Sequence, residues 1–296
     1  MQQDEDRIRA LPCWNGRIDI QALKGGLSNA NYLVKDAAGQ HVVRFGVDFP
    51  FHHVFREREV MVARAAHAAG FSPEVQFAAP GVMVTQFLDA HTFSGNDVRA
   101  NASRIGQLLR RFHVEMPSRI TGPGFMFWAF HVIRDYAATL RAANSAHVET
   151  LAKLLAEAAA LEAVQVPLPI IFGHNDLLPG NFLDDGEKLW LIDFEYAGFS
   201  TAMFDLAGAS SNALMNSDES VDLLGAYFGS KPASNILKSF DAMQCASLSR
   251  ETLWAMVSAI HLNAPGVDYE AYTAENLTRY HAALDRYQTC YGKLLT

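Results

Sequence analysis

Cysteine is scarce in this chain of 296 residues, which holds only Cys13, Cys245 and Cys290. Their odd number and wide spacing exclude a disulfide framework and a zinc ribbon, and leave ordinary buried or half-buried thiols. Runs of positive charge are missing too. No more than two lysines or arginines stand together and the formal net charge is -8, which excludes a surface that tracks a polyanionic nucleic acid, so any phosphate must be held locally. No uncharged stretch approaches the ~20 apolar residues of a membrane-spanning helix. The opening "MQQDEDRIRA" is acidic where a signal peptide would be basic and then apolar. No membrane association is expected, and the expected setting is a reducing cytoplasm. A G-x-x-x-x-G-K-[ST] loop is also absent, which excludes a Walker-type phosphate site.

What is present is a large apolar fraction, 50% of the residues, enough for one large domain or two smaller ones. From Ile18 to Val47 the runs "IDIQAL", "GGLSNANYLVKD" and "HVVRFGVD" predict an antiparallel meander, with Ala38-Gly39 as a turn. "FREREVMVARAAHAAG" predicts a helix of about four turns that stops at Gly70. "PGVMVTQFL" predicts another strand, and the polar "DAHTFSGND" a connector. Beyond it the spacing of Ile105, Leu108, Leu109 and Phe112, and the stretch 147–163, predict helices. The expected fold is α+β: a β-rich lobe over residues 1–88 and a larger, mainly helical lobe over 89–296.

One segment interrupts the helical part. In "HNDLLPGNFLDDGEKLWLIDFEYAG", residues 174–198, Asp185-Gly186 between two apolar runs predicts a tight hairpin turn. Folding it back brings Asn181 and Asp193 toward the loop that carries Asp176. Each alone is an ordinary turn residue. Together they are hard oxygen donors, the class that suits magnesium beside substrate phosphates, with Asp176 left to orient a nucleophile. This is the division of labour in phosphoryl transfer. The pattern His174-Asn175-Asp176-x-x-x-x-Asn181, then Asp193-Phe194-Glu195, parallels the protein-kinase set H-R-D-x-x-x-x-N and D-F-G, with glutamate in place of glycine.

On these residues the chain resembles the choline and ethanolamine kinase branch of the aminoglycoside phosphotransferase superfamily, from about Gly25 to Tyr280. The resemblance implies a protein-kinase-like two-lobed fold, with ATP and Mg2+ as cofactors and a small alcohol as acceptor. It implies that Asp176 acts on the acceptor hydroxyl and that Asn181 and Asp193 hold magnesium. Arg44 in "VVRF", paired with Glu59, would touch the phosphates, and "GGLSNANYLV" would cover them, with Ser28 and Asn29 as donors. Gln86, Phe87 and Leu88 would lie by the adenine. His174 and Asp205 would brace the catalytic loop. Tyr196 and Trp254 would stand at the positions of an ammonium cage, Tyr272 lying in the same C-terminal stretch, with Glu195 or Glu251 supplying charge. Glu251 stands where the family's cage has a tryptophan, and Asn212 where it has an acidic residue. Choline, ethanolamine, thiamine-like and aminoglycoside-like acceptors thus stay open, as do a nucleotide-binding pseudokinase and a metal-dependent phosphoesterase.

Overall fold

A computed structural model describes residues 2–23, 30–262 and 266–294. Its N-terminal part is a five-stranded antiparallel sheet. Helix α1 (Gln2–Arg9) precedes β1 (Asp19–Leu23), β2 (Ala30–Lys35) and β3 (Gln40–Phe45), followed by α2 (Arg56–Ala68), β4 (Val75–Ala79) and β5 (Val82–Gln86), in the sheet order β1-β2-β3-β5-β4. Alternation drives this sheet: Tyr32, Val34, Val43, Phe45, Val82 and Val84 point into a small core closed by Ile8 of α1. The turn at Gly39 and the helix end at Gly70, whose φ is +78°, stand where the sequence predicts them. Gly70 sits in the left-handed conformation that a side chain resists.

Beyond Leu88, where we divide the lobes, the structure becomes mainly helical. A two-residue strand β6 (His91–Thr92) leads into α3 (Gly95–Ala100), α4 (Ala102–Glu115), α5 (Ala129–Ala142) and α6 (Val148–Ala163). Then come the short strands β7 (Ile170–Gly173), β8 (Phe182–Asp184), β9 (Leu189–Leu191) and β10 (Gly198–Thr201), and the helices α7 (Ala202–Ala213), α8 (Ser217–Phe228), α9 (Ser234–His261) and α10 (Tyr269–Tyr291). Strands β7 and β10 pair with each other, and β6-β8-β9 form a second small sheet. The fold is the two-lobed, kinase-like one.

One detail departs from the sequence reading. The turn between β8 and β9 is a four-residue loop, 185–188, not a two-residue one, because Asp184 pairs with Leu189. The Asp185 carboxylate builds that loop by accepting from the Glu187 and Lys188 amides, while Gly186 takes a φ of +89°. Helix α2 lies beside β4, and its Val62, Ala63 and Ala66, with Phe71 just after it, join the large core, where Phe71 meets Phe112 edge-on at 5.3 Å. No helix among the described residues is long and apolar enough to cross a membrane.

Candidate active site

The loop between β7 and β8 carries Asp176 and Asn181, and its shape follows from buried polar groups. Asp205, in the first turn of α7 and 1% exposed, accepts from the backbone amides of His174 and Asn175, both at 2.7 Å. The His113 side chain of α4 meets the same carboxylate at 2.8 Å. Burial works against the Asp205 charge, but the His113 contact and the His174 amide bond hold its carboxyl below the usual range. Asn175, at a left-handed φ of +60°, donates its side-chain amide to the Tyr196 and Gly198 carbonyls. Asparagine is the non-glycine residue that accepts this conformation most easily.

His174 is fully buried, and its Nε2 donates to the Ile192 carbonyl at 2.9 Å. Burial pulls its pKa down, so the imidazole is a neutral brace between the loop and the segment that bears Asp193. Asn181 completes the link. Its amide nitrogen donates to the Asp176 carbonyl at 2.8 Å, and its own carbonyl accepts from the Ile192 amide at 3.1 Å. That amide bond leaves the Asn181 side-chain oxygen as the end able to take a cation. Asp193, just past β9, is held at a φ of +69°. Behind it Phe194 stacks on Phe112 at 6.1 Å.

Asp176 opens onto the cleft between the lobes with protein on its other sides. This desolvation, with the Asp193 charge added, holds its carboxyl well above the usual range, and Arg250 acts in the opposite direction. The cleft has a volume of about 690 Å³ and runs from Arg44, Gln86, Phe87 and Leu88, past Asp176, Asn181 and Asp193, to Glu251, Trp254 and Tyr272. One continuous space therefore joins the residues expected at the nucleotide to those expected at the acceptor. Ser28 and Asn29 lie outside the described residues.

Toward the sheet, Arg44 is the centre of an ion-pair mesh. It reaches Glu59 at 3.0 Å, Asp193 at 2.7 Å and Glu195 at 3.2 Å, and Arg56 bridges Glu59 at 2.7 Å and Glu195 at 2.8 Å. Burial opposes the Arg44 charge, but its three carboxylate partners more than offset that cost and keep it protonated. The pairing of Arg44 with Glu59 is the one expected from sequence; Glu57 is exposed. Glu195, expected beside the acceptor, lines the cleft and has its carboxylate on Arg44 and Arg56. Burial and Asp193 raise its pKa against the pull of the two arginines. The side-chain nitrogen of Asn212 donates to the Leu177 carbonyl, which makes it a loop brace.

At the other end, Trp254 donates its indole N–H to the Tyr196 hydroxyl at 2.9 Å, and Tyr272 meets Trp254 edge-on at 6.1 Å. Glu251 accepts from the Tyr272 hydroxyl and from Arg250, both at 2.8 Å. Sequence reasoning missed Arg250, as it missed Arg56. The signal available for Arg250 was a charged pair, Arg250-Glu251, standing alone in an otherwise uncharged stretch from Ala242 to Ile260 of α9, which places the charge in the interior.

Asp176, Asn181 and Asp193 can together orient a hydroxyl and hold a hard cation between phosphate oxygens. Among the described residues no group of three or more histidine, cysteine or acidic side chains is gathered to hold a metal. The donor set therefore fits an ion that takes one carboxylate, one amide and substrate oxygens, and not a closed protein cage.

Comparison with known proteins gives the same assignment. The chain is 30% identical over 207 residues to a probable ethanolamine kinase of Arabidopsis thaliana, a match covering 63% of this chain and 54% of that protein. It is 26% identical over 211 residues to LicA of Haemophilus influenzae, covering 69% and 61%. The chain thus spans about half to three-fifths of the length of these curated relatives. A choline/ethanolamine kinase family protein from Mesorhizobium loti, of solved structure, superposes over 99% of both chains with a TM-score of 0.77 and 28% identity. With the sequence model of the choline/ethanolamine kinases matching residues 20–220, across the strands, the loop of Asp176 and Asp205, this chain belongs to the choline/ethanolamine kinase family.

Proposed function

We propose that the protein transfers the γ-phosphoryl group of ATP to the hydroxyl of a small amino alcohol of the choline or ethanolamine kind. The observation that carries this is the meeting of Asp176, Asn181 and Asp193 on one cleft that is continuous from Arg44 to Trp254. Magnesium, held by Asn181 and Asp193, would neutralise phosphate charge. Arg44, fixed by Glu59, presents a guanidinium fork to phosphate oxygens. Asp176 accepts the proton of the acceptor hydroxyl as its oxygen bonds to the γ-phosphorus, the bond from that phosphorus to the bridging oxygen breaks, and ADP leaves. His174, Asn175 and Asp205 touch no reacting atom and keep Asp176 in place. Adenine is assigned to the Gln86–Leu88 edge, where β5 ends and the lobes join.

The test is ATP consumption with and without magnesium over choline, ethanolamine, thiamine and aminoglycosides. Magnesium-dependent turnover of an amino alcohol supports the reading. Nucleotide binding with no turnover of these alcohols or of hydroxy amino acids would reassign the protein as a nucleotide-binding pseudokinase.

A further inference from the structure

Arg250 is out of place in a pocket for a simple cation. Its side chain lies on α9 beside Glu251 and one turn before Trp254, it is 4% exposed, and it lines the same cleft as Asp176. Its guanidinium carbon sits over the Tyr196 ring at 4.6 Å, with Phe127 on another side at 5.8 Å. Glu251 is its one ion-pair partner among the described residues, and the Tyr136 hydroxyl, kept neutral by burial, is within hydrogen-bond reach of the guanidinium. A buried guanidinium balanced by a single carboxylate is costly and favours a second anion.

Three consequences bear on the acceptor. The Tyr196 face, which a quaternary ammonium would use, is covered by another cation. Glu251 is already half neutralised by Arg250, so a bare ammonium there finds a carboxylate and a guanidinium together. And a guanidinium fork matches a carboxylate with two parallel hydrogen bonds, which an ammonium cannot supply.

We propose that Arg250 and Glu251 form an adjacent plus–minus pair that selects a zwitterionic acceptor, an amino alcohol that also carries a carboxylate, over choline and ethanolamine. The acceptor carboxylate lies on Arg250, its ammonium on the remaining lone pairs of Glu251 beside Trp254 and Tyr272, and its hydroxyl at Asp176. Serine shows the chemistry at its smallest, being ethanolamine with a carboxylate on the carbon that bears nitrogen; homoserine places the hydroxyl one carbon further. The inference rests on the kinase reading above, and its bond changes are the same: one O–P bond forms to the acceptor hydroxyl, the β,γ-bridging P–O bond breaks, and the proton goes to Asp176.

The experiment measures kcat/KM of the wild-type protein with magnesium-ATP for L-serine, L-homoserine, ethanolamine and choline. The expected result is that a hydroxy amino acid exceeds ethanolamine and choline by about 100-fold or more, the order of discrimination when a site loses the group it is built to bind. Arg250→Leu then removes that preference, read as the ratio of the hydroxy amino acid's kcat/KM to that of ethanolamine, and Arg250→Lys restores part of it. The wild-type comparison decides even where Arg250→Leu fails to fold. Turnover of ethanolamine or choline with both amino acids inactive overturns the inference and leaves the kinase reading intact. Absence of ATP consumption with every acceptor overturns the kinase reading, and this inference with it.

Discussion

Replacing Asp176 by asparagine keeps the shape of the loop, whose contacts there run through the Asp176 main-chain carbonyl, and removes only the proton acceptor. Turnover is expected to fall by roughly 10²- to 10⁴-fold with nucleotide affinity nearly unchanged, as steady-state kinetics beside nucleotide titration would show; wild-type-like turnover would remove Asp176 from the mechanism. Arg44→Ala is expected to act on the other substrate, raising KM for ATP by about tenfold or more, since a charge-assisted phosphate contact is lost. Most of this residue-level chemistry was legible in the sequence because His174, Asp176, Asn181 and Asp193 lie within twenty residues of one another. Arg250 was not. Its meaning depends on burial between Tyr196 and Phe127, residues far away along the chain. The partners of Glu195 were not legible for a related reason: its short segment fixes where its backbone goes, but the side chain follows Arg44 and Arg56, which come from the other lobe.

Among elements, the start of the catalytic loop is the most tightly specified. A Cβ on Gly173, the last residue of β7, would lie 2.8 Å from Asn175 Oδ1 and 3.1 Å from Asp205 Oδ2. Gly173→Ala is therefore expected to cost about 1–3 kcal/mol and to lower turnover by displacing Asp176, both readable from a denaturant melt and a rate assay. Asp205→Ala breaks a buried pair with His113 and strands two loop amides, and about 3–5 kcal/mol of destabilisation is expected. The meander β1–β3, the helix α2 and the strand β5 were legible from periodicity and glycine punctuation. The strand β4, "VQFAA", and the helix α1, "QQDEDRIR", were not. The first is an edge strand with a bulge between Val75 and Phe77, which breaks alternation. The second is polar nearly throughout and is anchored by a single fully buried apolar side chain, Ile8.

At the scale of the whole molecule, His52 joins the lobes. It lies on the 3-10 turn Pro50–His52 between β3 and α2, and its ring meets the Tyr136 hydroxyl of α5 at 3.2 Å and the Ser258 hydroxyl of α9 at 3.1 Å. Burial, with Arg250 nearby, lowers its pKa to about 3. The folded state therefore holds it neutral where an unfolded chain would take up a proton. Its contribution is fully present above the ordinary histidine value of about 6.5 and is lost progressively as pH falls from there toward about 3. His52→Gln is expected to flatten the dependence of melting temperature on pH between about 6.5 and 4; an unchanged slope would assign it to other groups.

The placement of α2 in the large core has a further consequence, for where the molecule can be cut and recombined. Val62, Ala63 and Ala66 share the large core while the helix lies beside β4 of the sheet, so α2 ties the two lobes together and belongs to both. In hydrogen exchange α2 is expected to outlast the edge strand β1, and a chimera that borrows another family member's sheet should carry α2 with it. Such a graft would change the roof over the nucleotide while Glu59 and Arg44 stayed matched to each other.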